Sequence, residues 1–185
     1  TTEIERLEAI EIHARALLRQ GQNEAVVDRM RAALGELPRG AKGLALWECL
    51  GIAQIYLGDP SAARTALERA SLGTRTPREE VRLYSYLGIL AHREARHLDA
   101  RKAHEHALAI AERERFVDLV ATTALNVATS AQQLGDWGSA LRGYARARRL
   151  AKALARTRTE RTAVINLANL RCAIGQASHA RAVLS

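Results

Sequence analysis

Leu134–Leu150, LGDWGSALRGYARARRL, joins a turn at Gly135-Asp136 to a helix with Ala140, Tyr144 and Ala147 along one side. The same small-large-small spacing returns at Ala63, Leu67 and Ala70, and again at Ala100, His104 and Ala107. Residues four and then three apart share one face of an α-helix, so each triplet predicts a packing stripe. A stripe that returns with its turn at a near-fixed period predicts an array of helix pairs.

Composition agrees with an all-α fold. The 185 residues are 48% hydrophobic, proline is confined to Pro38, Pro60 and Pro77, and no stretch alternates β-branched with polar residues. The net charge of +8 raises nucleic acid or an anionic membrane as partner. Only Lys42, Lys102 and Lys152 among the 28 basic residues are lysine, and an arginine- and alanine-rich bias is also what a GC-rich genome produces. Cys49 and Cys172 form no CxxC pair, which predicts a reducing, cytoplasmic setting. No apolar run approaches the ~20 residues that span a bilayer. The chain starts without methionine and stops inside a predicted helix at Ser185, which reads as a segment of a larger protein.

Five units follow, at about 3–38, 43–73, 77–114, 116–156 and 158–185, in a single array. Ile4, Leu7, Ile10, Ala14, Leu17 and Leu18 make the apolar face of the first helix, which Gly21 ends. Thr76-Pro77-Arg78-Glu79 opens the third unit with an N-cap, a first-turn proline and a capping-box glutamate. Trp47, Leu50 and Gly51 lead to a turn at Gly58-Asp59-Pro60 and then Ala63, Leu67 and Ala70; Tyr84, Leu87 and Gly88 repeat the first spacing. This pattern resembles the tetratricopeptide repeat, W-x2-L-G-x2-Y followed by A-x3-F and P, with Gln54 where the tyrosine is expected. Turn residues Gly21, Gly58, Ala95, Gly135 and Gly175 set spacings of 37, 37, 40 and 40, longer than the family's 34, and alanine at position 95 predicts a less sharp turn. Gly51, Gly88, Ala128 and Ala168 are placed to let paired helices approach, while Trp47, Leu67, Tyr84, Trp137 and Tyr144 are expected in packing roles. The fifth unit continues through Ala180 and Leu184.

The resemblance implies a right-handed superhelical solenoid whose first helices line a concave, peptide-binding face. Positions four, three and four apart on those helices give Glu8, Ile12, Arg15 and Arg19, then Ala45, Cys49, Ile52 and Tyr56. The third unit contributes Arg82, Tyr86, Ile89 and Arg93, the fourth Thr122, Asn126, Thr129 and Gln133, the fifth Thr162, Asn166, Asn169 and Ala173. The candidate binding residues are Arg82, Tyr86, Arg93, Asn126, Thr129, Gln133, Asn166 and Asn169. Asn126 and Asn166 sit one repeat apart, and an amide both donates to and accepts from a peptide backbone. Arg82 and Arg93 suit an acidic group on the partner. The lysine and asparagine of chaperone-tail-binding arrays are missing; the longer repeats look more like those of bacterial signalling proteins and kinesin light chains.

No Walker A, GxGxxG or GxSxG sequence occurs, so no catalytic role and no cofactor is expected. Among the histidines, His104 and His106 point to different sides of a helix, His92 and His97 are separated by a turn, and His104 holds a packing position; no metal site is expected. Arg142, Arg146, Arg149 and Arg156 form an outer stripe without interleaved aromatics, which favours a solvated face over a phosphate track. The sequence therefore reads as a non-catalytic protein- or peptide-binding scaffold, a sensor or regulatory segment of a larger bacterial signalling protein. A nucleic-acid-associated array using the basic outer face is the alternative. Contact with other domains of the same chain, and self-association through exposed array ends, are further expectations.

Overall fold

The computed structural model describes residues 3–37 and 43–175, and among these nine α-helices and no strand are present. They fall into two compact units, Thr1–Arg75 and Thr76–Ser185. Unit 1 holds α1 (Glu3–Gln20), α2 (Asn23–Gly35), α3 (Leu44–Leu57) and α4 (Pro60–Ser71). Unit 2 holds α5 (Pro77–Arg93), α6 (His97–Arg113), α7 (Val117–Gln133), α8 (Trp137–Ala153) and α9 (Thr157–Ala173). Ala180 and Leu184 lie outside the described residues.

Local chemistry sets the helix starts. Thr76 accepts from the Glu79 backbone N–H while the Glu79 carboxylate accepts from the Thr76 N–H at 2.8 Å, so the predicted capping box is formed, with Pro77 at the first helical position. Asp59 and Asp136 cap α4 and α8 by accepting from the N–H groups of Ala62 and Ser139, each at 3.0 Å.

Helix ends in unit 2 share one device. The N–H groups of Arg96, Phe116, Asp136 and Arg156 each donate to the carbonyl five residues back, on Ala91, Ala111, Ala131 and Ala151, at 2.8 to 2.9 Å. This is the six-to-one bond of a Schellman turn, and it places the preceding residue in the left-handed region. That residue is Ala95 (φ 56°), Arg115 (55°), Gly135 (76°) or Ala155 (51°), one every twenty residues. The less sharp turn expected at Ala95 is therefore corrected: the backbone hydrogen bonds close the same turn there, and the alanine bears the strain. The predicted forty-residue period divides into two equal halves.

Each helix of unit 2 packs on its chain neighbour, and α5 on α7 and α7 on α9 as well, so the first helices form one row of the stack. Ala124, Ala128, Ala140, Tyr144, Ala147, Leu167 and Leu170 make one core, and Val81, Ala107, Ile110 and Ala111 another. The unit 1 core gathers Ala14, Val26, Met30, Leu46, Leu50 and Ala66. Close approach falls where expected: a Cβ on Gly51 would lie 2.8 Å from Leu67 Cγ, and one on Gly88 would strike the His104 imidazole.

Two expectations need correction. Trp137 is 47% exposed rather than packed. The first residues of the helices stand at the rim of the stack, where Val117 is exposed too. Cys49 and Ile52, placed on the ligand-facing stripe by spacing, are buried in unit 1 because α3 is apolar on all sides.

Candidate functional site

A pocket of about 340 Å³ opens in unit 2 where the end of α5, the start of α6 and the middle of α7 meet. Its walls are Ile89, His92 and Arg93 of α5, His97 and His104 of α6, and Asn126, Thr129 and Gln133 of α7. Four of the sequence-predicted residues, Arg93, Asn126, Thr129 and Gln133, are thus brought to one place.

The remaining four are not. Arg82 and Tyr86 lie earlier on α5, half-buried and engaged with neighbouring groups. The Asn166 amide on α9 donates to the Tyr144 hydroxyl, whose own hydrogen faces Gln132 Oε1 at 2.7 Å and Thr129 Oγ1 at 3.3 Å. Asn166 is therefore part of the seam that holds α7, α8 and α9 together, while Asn126, its equivalent, faces the pocket. Asn169 is exposed on α9.

Sequence reasoning missed the histidines as site residues. The Schellman turn at Ala95 folds His97 back onto His92, bringing their Nδ1 atoms to 3.3 Å. Ser130 Oγ of α7 lies 3.2 Å from His92 Nε2 and 2.9 Å from His104 Nδ1, and His104 Nε2 lies 3.2 Å from the Ser85 carbonyl. Burial, with the neighbouring His92, pushes the His104 imidazole down to about 4, so it is neutral. Burial and then His97 lower His92 as well. The signal available in sequence was the turn itself: residues either side of a six-to-one turn face each other, although no helical spacing relates them.

Arg93 is exposed at the pocket edge and makes no ion pair among the described residues. Among those residues no group of three or more His, Cys, Asp or Glu is placed to hold a metal ion. Outside the pocket, Arg146 pairs with Glu112, Arg156 lies 3.8 Å from Asp118, and Arg78 grips the same aspartate at 2.7 Å. The outer arginine stripe is thus partly neutralised by acids on α6 and α7, and it offers no continuous track of free cations to a phosphate backbone. No helix among the described residues is long and apolar enough to cross a membrane.

The sequence model of the tetratricopeptide repeat family matches residues 79–153, a segment within unit 2 that includes the whole pocket. Comparison with curated protein sequences gives no match. The crystal structure of the nearly identical TPR-like repeats of a putative kinesin light chain from Podosopora anserina is similar at a TM-score of 0.73 with 17% identity, over 100% of this chain and 94% of that one. The apo form of RapI is similar at a TM-score of 0.79 with 11% identity, over 96% of this chain and 67% of that one. At such identities the likeness concerns the fold. Together with the recurring helix pairs, it shows an all-α, tetratricopeptide-like solenoid fold, with the family's sequence pattern carried by residues 79–153.

Proposed function

We propose that the chain is a non-catalytic scaffold that binds a protein or peptide, with the pocket between α5, α6 and α7 as the centre of its binding face. The observation that carries this reading is the convergence of Arg93, Asn126, Thr129 and Gln133 on one pocket from successive first helices of the stack. Amides on that row can meet an extended backbone in either direction, which gives affinity without fixing the side chain. Pockets at repeat-to-repeat junctions are where solenoids present their binding surface. A place as sensor or regulatory segment of a larger bacterial signalling protein, in the cytoplasm where Cys49 and Cys172 remain thiols, accords with the free cysteines.

The test is a peptide selected from a displayed random library on the whole chain. Asn126→Ala combined with Gln133→Ala is expected to weaken its binding about tenfold, the loss of one or two hydrogen bonds, with helicity and melting temperature unchanged. Unchanged affinity in that double variant would sink the reading.

A further inference from the structure

We propose that the pocket seats a carboxylate of the bound peptide between Arg93 and His97, and that filling the seat takes up one proton. This deepens the scaffold reading and rests on it.

The histidine chain has its buried end at His104. The Ser85 and Asn126 carbonyl oxygens that His104 meets can only accept; with Ser85 served, His104 Nε2, at 3.2 Å, carries the hydrogen. Neutral His104 then presents a bare Nδ1, which must accept from Ser130 Oγ at 2.9 Å. That commits the single hydroxyl hydrogen of Ser130. His92 Nε2, 3.2 Å from the same oxygen, must therefore donate to it. Neutral His92 is left with a bare Nδ1, and the contact at 3.3 Å is satisfied only when His97 Nδ1 donates. With the His104 hydrogen given to Ser85 rather than to the Asn126 carbonyl, its other backbone acceptor, all hydrogens point inward, from His97 through His92, Ser130 and His104 to Ser85.

His97 Nε2 is the nitrogen this chain does not use, and it has no partner among the described residues. Unprotonated, it is a lone pair that repels an anion; protonated, it is a second donor beside Arg93. The Nδ1 hydrogen is already given to His92, so the added proton resides at Nε2. The charged and titratable groups around it are accounted for. On α5 and its C-terminal cap these are His92, Arg93 and Glu94, the last bound by Arg96 at 2.6 Å. On α6 they are His104 and Asp99, the latter held by Arg96 at 2.9 Å. The α7 wall is neutral: Asn126, Thr129, Ser130 and Gln133. Among the described residues no carboxylate lines the pocket, so the Arg93 charge is left for a ligand. One fixed cation matches the single charge of a carboxylate, whereas phosphate recognition draws on clusters of arginine.

The experiment uses the ¹⁵N-labelled whole chain, with three probes: the blocked tripeptide acetyl-Ala-Asp-Ala-amide, its asparagine counterpart, and inorganic phosphate. Histidine ring nitrogens are followed by NMR at about pH 6 and pH 8. The expected result is Nε2–H tautomers at His92 and His104 in the free protein, and a saturable shift of His97 with the aspartyl peptide alone. Binding is expected to be at least about fivefold tighter at the lower pH. Arg93→Gln should abolish it, and His97→Gln should remove its pH dependence. Equal binding at both pH values, equal binding of the asparagine peptide, saturation by phosphate at lower concentration, or no shift would each overturn the proposal. Library peptides that need Asn126 and Gln133 yet tolerate both Arg93→Gln and His97→Gln would overturn the seat and leave the scaffold reading standing.

Discussion

Unit 2 and unit 1 bury polarity in opposite ways. In unit 1, Glu48 of α3 is 1% exposed and takes Arg75 at 3.2 Å, while the same guanidinium also donates to the Ala70 carbonyl. In unit 2 the buried polar groups are neutral, and a carbonyl, two imidazoles and a hydroxyl satisfy one another in a line. The difference follows helix geometry. The helices α5 to α9 are each 17 residues long, so their ends align and a turn residue on one level meets the middle of the helix beside it. Unit 1, with helices of 18, 13, 14 and 12 residues, lacks that alignment and holds its polar centre with a long, flexible arginine from the segment after α4. Equal spacing permits a directed network; unequal spacing calls for a side chain that can reach.

Trp47 lies in unit 1 and Trp137 in unit 2, so fluorescence of single-tryptophan variants reads the two separately. The largest effect is expected from Arg75→Ala, which removes the guanidinium from a buried carboxylate and should cost unit 1 about 4 kcal/mol in denaturant unfolding. The double variant Arg75→Met with Glu48→Met should recover most of it. A loss below ~1 kcal/mol in the single variant would erase the contrast between the two units.

Acid should act on unit 2 next. The His104 imidazole lies at about 4 in the folded chain against an ordinary 6.5, so between these values the unfolded state holds a proton that the folded state lacks. Its contribution is complete above pH 6.5 and is lost as the pH falls toward 4, by ~3 kcal/mol in all. His92, lowered by burial, adds in the same direction. Unfolding followed by Trp137 at about pH 7.5 and pH 4.5 checks this, and His104→Gln should flatten the dependence.

The smallest effect concerns the turns. Ala95→Gly removes a left-handed alanine and is expected to stabilise unit 2 by about 1 kcal/mol, whereas Gly135→Ala, at the equivalent turn, should destabilise it by a similar amount. Thermal melts of the two variants should therefore shift in opposite directions.

The helix pairs were legible because apolar spacing and caps such as Thr76 and Glu79 are local. The twenty-residue half-period was not, since among the turn residues of unit 2 Gly135 and Gly175 carry the glycine signature, forty residues apart, while Ala95, Arg115 and Ala155 adopt the same backbone under the pull of hydrogen bonds. Spacing also put Asn126, Thr129 and Gln133 on the helix face that lines the pocket. It could not separate Asn126 from Asn166, because the partner that engages Asn166, Tyr144, comes from a different helix. Nor does helical periodicity show His92 meeting His97, a contact created by the turn between them.

Because the connections in unit 2 are closed by main-chain hydrogen bonds, their side chains carry little of the folding instruction. A stretch running from one such closure to the second after it is one repeating unit, whose flanks its neighbours cover. Residues 97–136 form one of them, an interchangeable cassette whose two ends present the same geometry. A chain of this kind can change length by whole cassettes, but its pocket is shared, since Ile89, His92 and Arg93 come from the stretch before residue 97.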